Sequence, residues 1–244
     1  MNKNVLETAV KKAIMAFKTV GVHSASFPSA LMELQESVQH LTAENMGLHE
    51  SMSGRIYPSR YPMTHIDVFE SKDVSIGIFV LHSDPEGKIP LHDHPGMHGI
   101  LKVIHGKVTV NTYTRDNIIV DSSKGVKYCA KKWPPLLVTS RSSPLIVSPH
   151  SPNIHSIDFT SGENNINYAA FVDFLSPPYY VSDSGPECNY YAVENDDDMI
   201  GNEDPSEDGS YFCYLKKTKC PSYYCNDNAA YCGPRVLDMI ENQP

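Results

Sequence analysis

The sequence predicts a mainly β domain, a sandwich or barrel, preceded by a helical arm. Three observations carry this reading. Between about Pro62 and Tyr180, short runs rich in Val, Ile, Phe and Tyr recur, with turn signals such as Asp84-Pro85-Glu86-Gly87 and His105-Gly106 between them. Many short strands at such spacing belong to antiparallel sandwiches and barrels. The first 50 residues instead place apolar side chains at helical intervals. A chain of 244 residues with 41% hydrophobic content can also bury one sizeable core.

The elements follow in order. In residues 1–20, Val5, Leu6, Ala9, Ile14, Met15 and Phe17 interleave with Lys3, Glu7, Lys11, Lys12 and Lys18, as in an amphipathic helix. Pro28-Ser29 opens a second such segment carrying Leu31, Leu34, Val38 and Leu41, with Ser29 as its expected cap. Strands are expected at 63–69, 74–81, 99–104, 107–113, 118–120, 136–139, 145–147, 154–158 and 168–175. The last stretch reads as irregular, because Glu194-Asn195-Asp196-Asp197-Asp198 and Glu203-Asp204-Pro205-Ser206-Glu207-Asp208 are acidic and turn-rich. The expected organisation is a helical arm over residues 1–50, a barrel with the functional site over 51–192, and an acidic loop with a C-terminal extension over 193–244.

A net charge of −9 argues against nucleic acid or an anionic membrane surface as a main partner. No apolar run approaches the roughly 20 residues that span a bilayer. The N-terminus lacks the continuous apolar stretch and small-residue cleavage site of a secretion signal. Glu7 and the absence of Arg there argue against a mitochondrial address. A cytoplasmic location is expected, with nucleus and mitochondrion left open. The six cysteines then read as reduced thiols, and no Cys-x-x-Cys pair suggests structural zinc.

The chemistry concentrates in Pro90-Leu91-His92-Asp93-His94-Pro95-Gly96-Met97-His98-Gly99. Residues two apart on a strand share a face, so His92 and His94 aim two imidazoles at one point. A divalent transition metal needs that from its first two ligands. Pro95-Gly96 then turns the chain. Asp93 points to the opposite strand face, so no nearby carboxylate completes the set. His155, on a later strand, is the leading third ligand. His82, His98, His105 and His150 compete, and His98 is the sharpest rival.

Three ordered blocks carry a family resemblance: 90–103, Asn153-Ile154-His155-Ser156-Ile157-Asp158, and Ala170-Phe171-Val172-Asp173-Phe174-Leu175-Ser176-Pro177-Pro178-Tyr179 with Glu187-Cys188-Asn189-Tyr190-Tyr191 after it. A weaker fourth is Tyr231-Cys232-Gly233-Pro234-Arg235-Val236. Together they resemble the cysteamine (2-aminoethanethiol) dioxygenase and plant cysteine oxidase family of cupin-fold thiol dioxygenases. The resemblance runs from about residue 25 to the C-terminus, and is poor at 113–143 and in the acidic loop.

It implies a cupin (double-stranded β-helix, jelly-roll) barrel with the N-terminal helices packed outside. It implies Fe(II) held by His92, His94 and His155, with O₂ as co-substrate. Both oxygen atoms would be added to the sulfur of cysteamine or of a protein N-terminal cysteine, with a possible link to oxygen sensing through N-terminal-cysteine-dependent degradation. Asp173 would pair with the substrate ammonium or fix a nearby ligand. Cys188 and Tyr190 match a Cys-x-Tyr element that can form a thioether crosslink, and Tyr179 and Tyr180 would line the entrance. Met97 and Leu101 read as core, and Trp133 as a loop anchor. A soluble monomer is expected. The rival readings are a metal-binding cupin isomerase or hydrolase, and a non-catalytic regulatory cupin.

Overall fold

The computed structural model describes residues 3–48, 60–122, 125–150, 152–161, 166–179, 187–194 and 206–241. Tyr180 and residues 195–205 of the acidic segment lie outside them.

Helix α1 (Lys3–Ile14) continues into a π-helical turn (Met15–Val20), which Gly21 ends at φ 78°. Helix α2 (Phe27–Gln39) follows. Its N-cap is Ser26, not Ser29, and no side chain caps it. Pro28 sits in the first turn, where a missing N–H costs nothing. Thirteen strands come next: β1 (Met63–Glu70), β2 (Ser75–His82), β3 (Lys88–Asp93), β4 (His98–His105), β5 (Lys107–Ser122), β6 (Gly125–Lys132), β7 (Leu136–Thr139), β8 (Leu145–Val147), β9 (Ile154–Phe159), β10 (Tyr168–Ser176), β11 (Tyr190–Glu194), β12 (Tyr211–Thr218) and β13 (Asn226–Asn228). Helix α3 (Val236–Glu241) closes the chain.

Two sheets form, ordered β13-β1-β2-β10-β4-β8 and β6-β12-β11-β3-β9-β5-β7. The inner strands β2-β10-β4-β8 and β3-β9-β5-β7 are the two layers of a jelly roll, the cupin architecture. Their shared core joins Leu81, Leu101, Val103 and Phe171 of one sheet to Ile89, Val108, Val110 and Ile157 of the other. The outer face of the first sheet is covered as well. Ile76, Ile78, Val80, Val172 and Phe174 pack with Leu6, Val10, Leu34 and Val38 of the helices. β2 is therefore apolar on both faces, which accounts for its nearly continuous hydrophobic run.

β6 also pairs with β5, so the second sheet curls shut. The ring β5-β6-β12-β11-β3-β9 is a closed six-stranded antiparallel barrel. Its own core holds Leu91, Tyr113, Ala130, Ile154, Tyr191, Cys213 and Leu215. The C-terminal stretch is thus not irregular. Cys213 and Leu215 of β12 point inward at period two, a pattern that the flanking acidic turns and Lys216-Lys217 conceal. β13, Asn-Asp-Asn, has no strand propensity of its own and exists by pairing parallel to β1. The runs 107–113 and 118–120 belong to one strand, β5.

Candidate metal centre

β3 and β9 run antiparallel, with His92 opposite His155. The register gains one residue on β3 between Ile89 and His92, a bulge that contains Pro90. A bulge tolerates proline, which has no N–H for the ladder. Here it also brings the Pro90 carbonyl within 2.9 Å of His92 Nδ1. A carbonyl only accepts, so Nδ1 carries the hydrogen and Nε2 presents its lone pair. His94 follows β3 in the turn made by Gly96 at φ 67°, where Met97 N donates to His94 O at 3.1 Å. Tyr179 OH donates to the Asp93 carbonyl at 2.9 Å and lies 2.8 Å from His94 Nδ1. The single phenolic hydrogen is used on the carbonyl, so His94 Nδ1 donates and its Nε2 is also a lone pair.

The three imidazoles converge. Ring centroids of His92, His94 and His155 lie 4.7, 4.7 and 4.8 Å apart, and one ring nitrogen from each falls within 4.8 Å of the others. Burial pushes all three pKa values down, and the neighbouring rings push His94 and His155 further. The rings are therefore neutral donors. His94 Nε2 and His155 Nε2 stand 3.3 Å apart. Clustered imidazole lone pairs of this kind suit a metal ion.

The competing histidines are placed elsewhere. His82 is buried against Thr64 Oγ1 at 2.9 Å. His98 packs edge-on against Phe27 of α2, centroids 4.9 Å apart. His105 stacks on Tyr168, and His150 is exposed. Met97 and Leu101 are buried. Trp133 anchors its loop by donating Nε1–H to Thr114 Oγ1 at 2.9 Å.

A cavity of about 340 Å³ opens from the three histidines. Asp173, Tyr179, Cys188, Tyr190 and Tyr224 line it, with Asp67 and Glu70 also on its wall. No Lys or Arg is among the described lining residues. Asp173 Oδ1 is buried without a hydrogen-bond partner among the described residues. Desolvation lifts the Asp173 carboxyl from 3.8 to about 7, opposed by the Phe174 backbone N–H. Cys188 bonds to Tyr190 and Tyr179, and burial pushes its thiol up to about 12.

Residues 33–236 match the model of the PCO_ADO family. The chain belongs to the PCO_ADO family. This PCO_ADO chain is 30% identical to 2-aminoethanethiol dioxygenase of Homo sapiens, over 86% of its own length and 83% of that protein's. The Mus musculus protein of the same name is 27% identical over 96% and 97%. Plant cysteine oxidase 1 of Arabidopsis thaliana is 27% identical over 85% and 72%.

The supporting residues were not evident from sequence. Asp93 indeed faces away from the cavity, and there it fastens the 189–191 segment. Its carboxylate accepts from Asn189 N at 2.9 Å, from Asn189 Nδ2 at 3.1 and 3.0 Å, and from Tyr191 OH at 2.7 Å. Arg115 Nη1 donates to Tyr191 OH at 3.4 Å. The alternation of side chains on β3 is the signal that could have pointed to this second, buried role for Asp93.

Proposed function

We propose that this chain is a non-haem Fe(II) thiol dioxygenase acting on aminothiols, and that N-terminal cysteines are among its substrates. The observation that carries this is the pairing of an all-histidine donor set with a buried carboxylate in the same cavity, whose Oδ1 has no hydrogen-bond partner among the described residues. Three neutral imidazoles bring no negative charge, so a metal there keeps its full charge and favours an anionic ligand such as a thiolate. Asp173 asks for a cation, and a primary ammonium supplies one. An aminothiol offers both groups at once. The relatives are named for aminothiol and cysteine oxidation, in keeping with this chemistry.

Iron held by His92, His94 and His155 would supply Lewis acidity toward the thiol and redox chemistry toward dioxygen. The chain's own residues orient the reaction. Asp173 fixes the ammonium, so that sulfur is delivered in one pose and a bimolecular encounter becomes an oriented one. Ionic pairing with the ammonium also draws the Asp173 proton off, because an opposite charge favours the carboxylate. The Pro90 carbonyl and Tyr179 hold His92 of β3 and His94 just after it in their donor tautomers. Tyr190 brings a phenol to the cavity wall beside Cys188, where it can donate a hydrogen bond into the cavity or join Cys188 in a thioether. The overall change is RSH + O₂ → RSO₂H.

About 340 Å³ is the share of about eleven water molecules in the liquid, far more than cysteamine fills. That room favours a substrate with chain beyond the thiol and amine, as a peptide N-terminus has. Iron-loaded protein is incubated under ¹⁸O₂ with cysteamine and with an N-terminal-Cys peptide, and the products are weighed by mass spectrometry. Gain of two ¹⁸O atoms on sulfur is expected for both. Label drawn from water, or no gain of two oxygens on either thiol, would overturn the proposal.

A further inference from the structure

One thiol at the cavity wall has a second suitor. β11 and β12 pair antiparallel, with Tyr190 opposite Thr218 and Tyr191 opposite Lys217. Cys188 and Cys220 each lie two residues beyond this ladder, at the same end of the strand pair. Their side chains meet there. The Tyr190 hydroxyl hydrogen-bonds to the Cys220 thiol and also to the Cys188 thiol, and the two sulfurs lie close enough to act on each other electrostatically. Cys220 is exposed and Cys188 is half-buried. Among the other described thiols, Cys129 and Cys213 are buried; Cys225 and Cys232, like Cys220, bond to carbonyls of their own loops, and what sets Cys220 apart is its hydrogen bond with the Tyr190 hydroxyl.

We propose that Cys188 and Cys220 form a thiol–disulfide site at the cavity mouth that reacts with low-molecular-weight disulfides, RSSR. Cys220, the exposed thiol, attacks RSSR as thiolate, giving Cys220–S–SR and releasing RS⁻. Cys188, deprotonated, then attacks the Cys220 sulfur, closes the Cys188–Cys220 bond and releases a second RS⁻. In all, two protein thiols lose two electrons and two protons, and RSSR becomes two RSH. The closing step is the slower one, since burial leaves little of Cys188 as thiolate. A closed disulfide takes the Cys188 sulfur away from both Tyr190 and Tyr179. Cys188 thus faces two exclusive fates, bonding to the Tyr190 ring or to Cys220, and the oxidised pair cannot carry a thioether. This inference stands apart from the dioxygenase reading, because it needs neither iron nor turnover.

The folded full-length protein, stripped of iron, is incubated with glutathione disulfide, quenched with iodoacetamide and digested without reduction. Tyr190→Phe is run in parallel, since it offers Cys188 no phenol to couple with. We expect a peptide pair joining Cys188 to Cys220, two hydrogens lighter than the separate peptides, and restored to free thiols by a reductant. Cys220→Ser should abolish that pair and leave Cys188 alkylatable, with basal thiol oxidation unchanged. The proposal is overturned if Cys188 stays alkylatable in both proteins under excess disulfide. It is equally overturned if Cys220 pairs instead with Cys225 or Cys232.

Discussion

Replacing Asp173 by Asn separates the cost of the site from its use. Asp173 is buried on β10, and its Oδ1 has no partner among the described residues. Its carboxyl is raised from 3.8 to about 7, first by desolvation. A folded pKa above the unfolded one means that folding takes up a proton between those values. Stability from this group is therefore highest below about pH 4, falls as pH rises, and reaches its full penalty above about pH 7. A rise of that size is worth about 4 kcal/mol. Water in the open cavity and local relaxation trim it, leaving about 2–3 kcal/mol between pH 5 and 8. Asn keeps the shape and removes the charge, so it removes the pH dependence. In iron-free protein, the Tm of Asp173→Asn relative to the parent should improve by about 4–12 °C on going from pH 5 to pH 8, read by scanning calorimetry. The same change should lower kcat/KM for cysteamine about 10- to 100-fold, since a hydrogen bond to a charged group contributes about 1.5–3 kcal/mol. Parallel Tm profiles for the two proteins, or undiminished turnover, would refute the reasoning.

Three further outcomes are expected. His92→Ala, His94→Ala and His155→Ala should each lose iron by elemental analysis and lose activity, whereas His98→Ala, which only unstacks Phe27, should keep both; the reverse pattern for His155 and His98 would displace the ligand assignment. In competition assays, cysteamine and N-terminal-Cys peptides should be oxidised, with Lys favoured over Glu at the second position because Asp67 and Glu70 line the cavity. N-acetylated peptides should fail, and free cysteine should be poor because no Arg or Lys among the described residues lines the cavity to hold its carboxylate; free cysteine outcompeting both would sink this reading. Light scattering should report a monomer at all concentrations, and a concentration-independent dimer would contradict it.

The strands of the jelly roll were legible where both faces or one face carried a plain apolar pattern, as in β2, β7, β8 and β10. The His92–His94 pair was legible because strand periodicity makes residues two apart converge. His155 was named through the family resemblance of block 153–158, because strand periodicity alone does not distinguish it from His98 or His150. The C-terminal strands were hidden for a different reason. β12 follows its two inward residues, Cys213 and Leu215, directly with Lys216-Lys217, and β13 has no intrinsic preference for extended structure, so only the partner strands decide them. The tie from Asp93 to Asn189 and Tyr191 joins residues almost a hundred positions apart. No window of sequence contains it.

β3 belongs, with β9 and β5, to the wall shared by the jelly roll and the closed barrel. Ile89 and His92 face the cavity, while Leu91 and Asp93 face the other way, into the core that holds Tyr191 and Leu215. Without the bulge at Pro90 a regular strand would place Leu91 and Asp93 on the Ile89 side and turn His92 away, because a one-residue slip exchanges the faces. The closed barrel therefore sets the aim of His92 from behind. Leu215 is fully buried there and lines no part of the cavity, and Leu215→Ala should cost about 2–5 kcal/mol. Ile78, equally buried under the helices, provides the control, since Ile78→Ala destabilises the outer layer at a similar cost. If the closed barrel aims His92, Leu215→Ala should weaken Co(II) binding about tenfold or more in a spectroscopic titration of folded protein. Ile78→Ala should leave that affinity within about twofold of the parent. Equal weakening by both would mean that metal affinity follows global stability, and that the second barrel has no particular hold on the ligands.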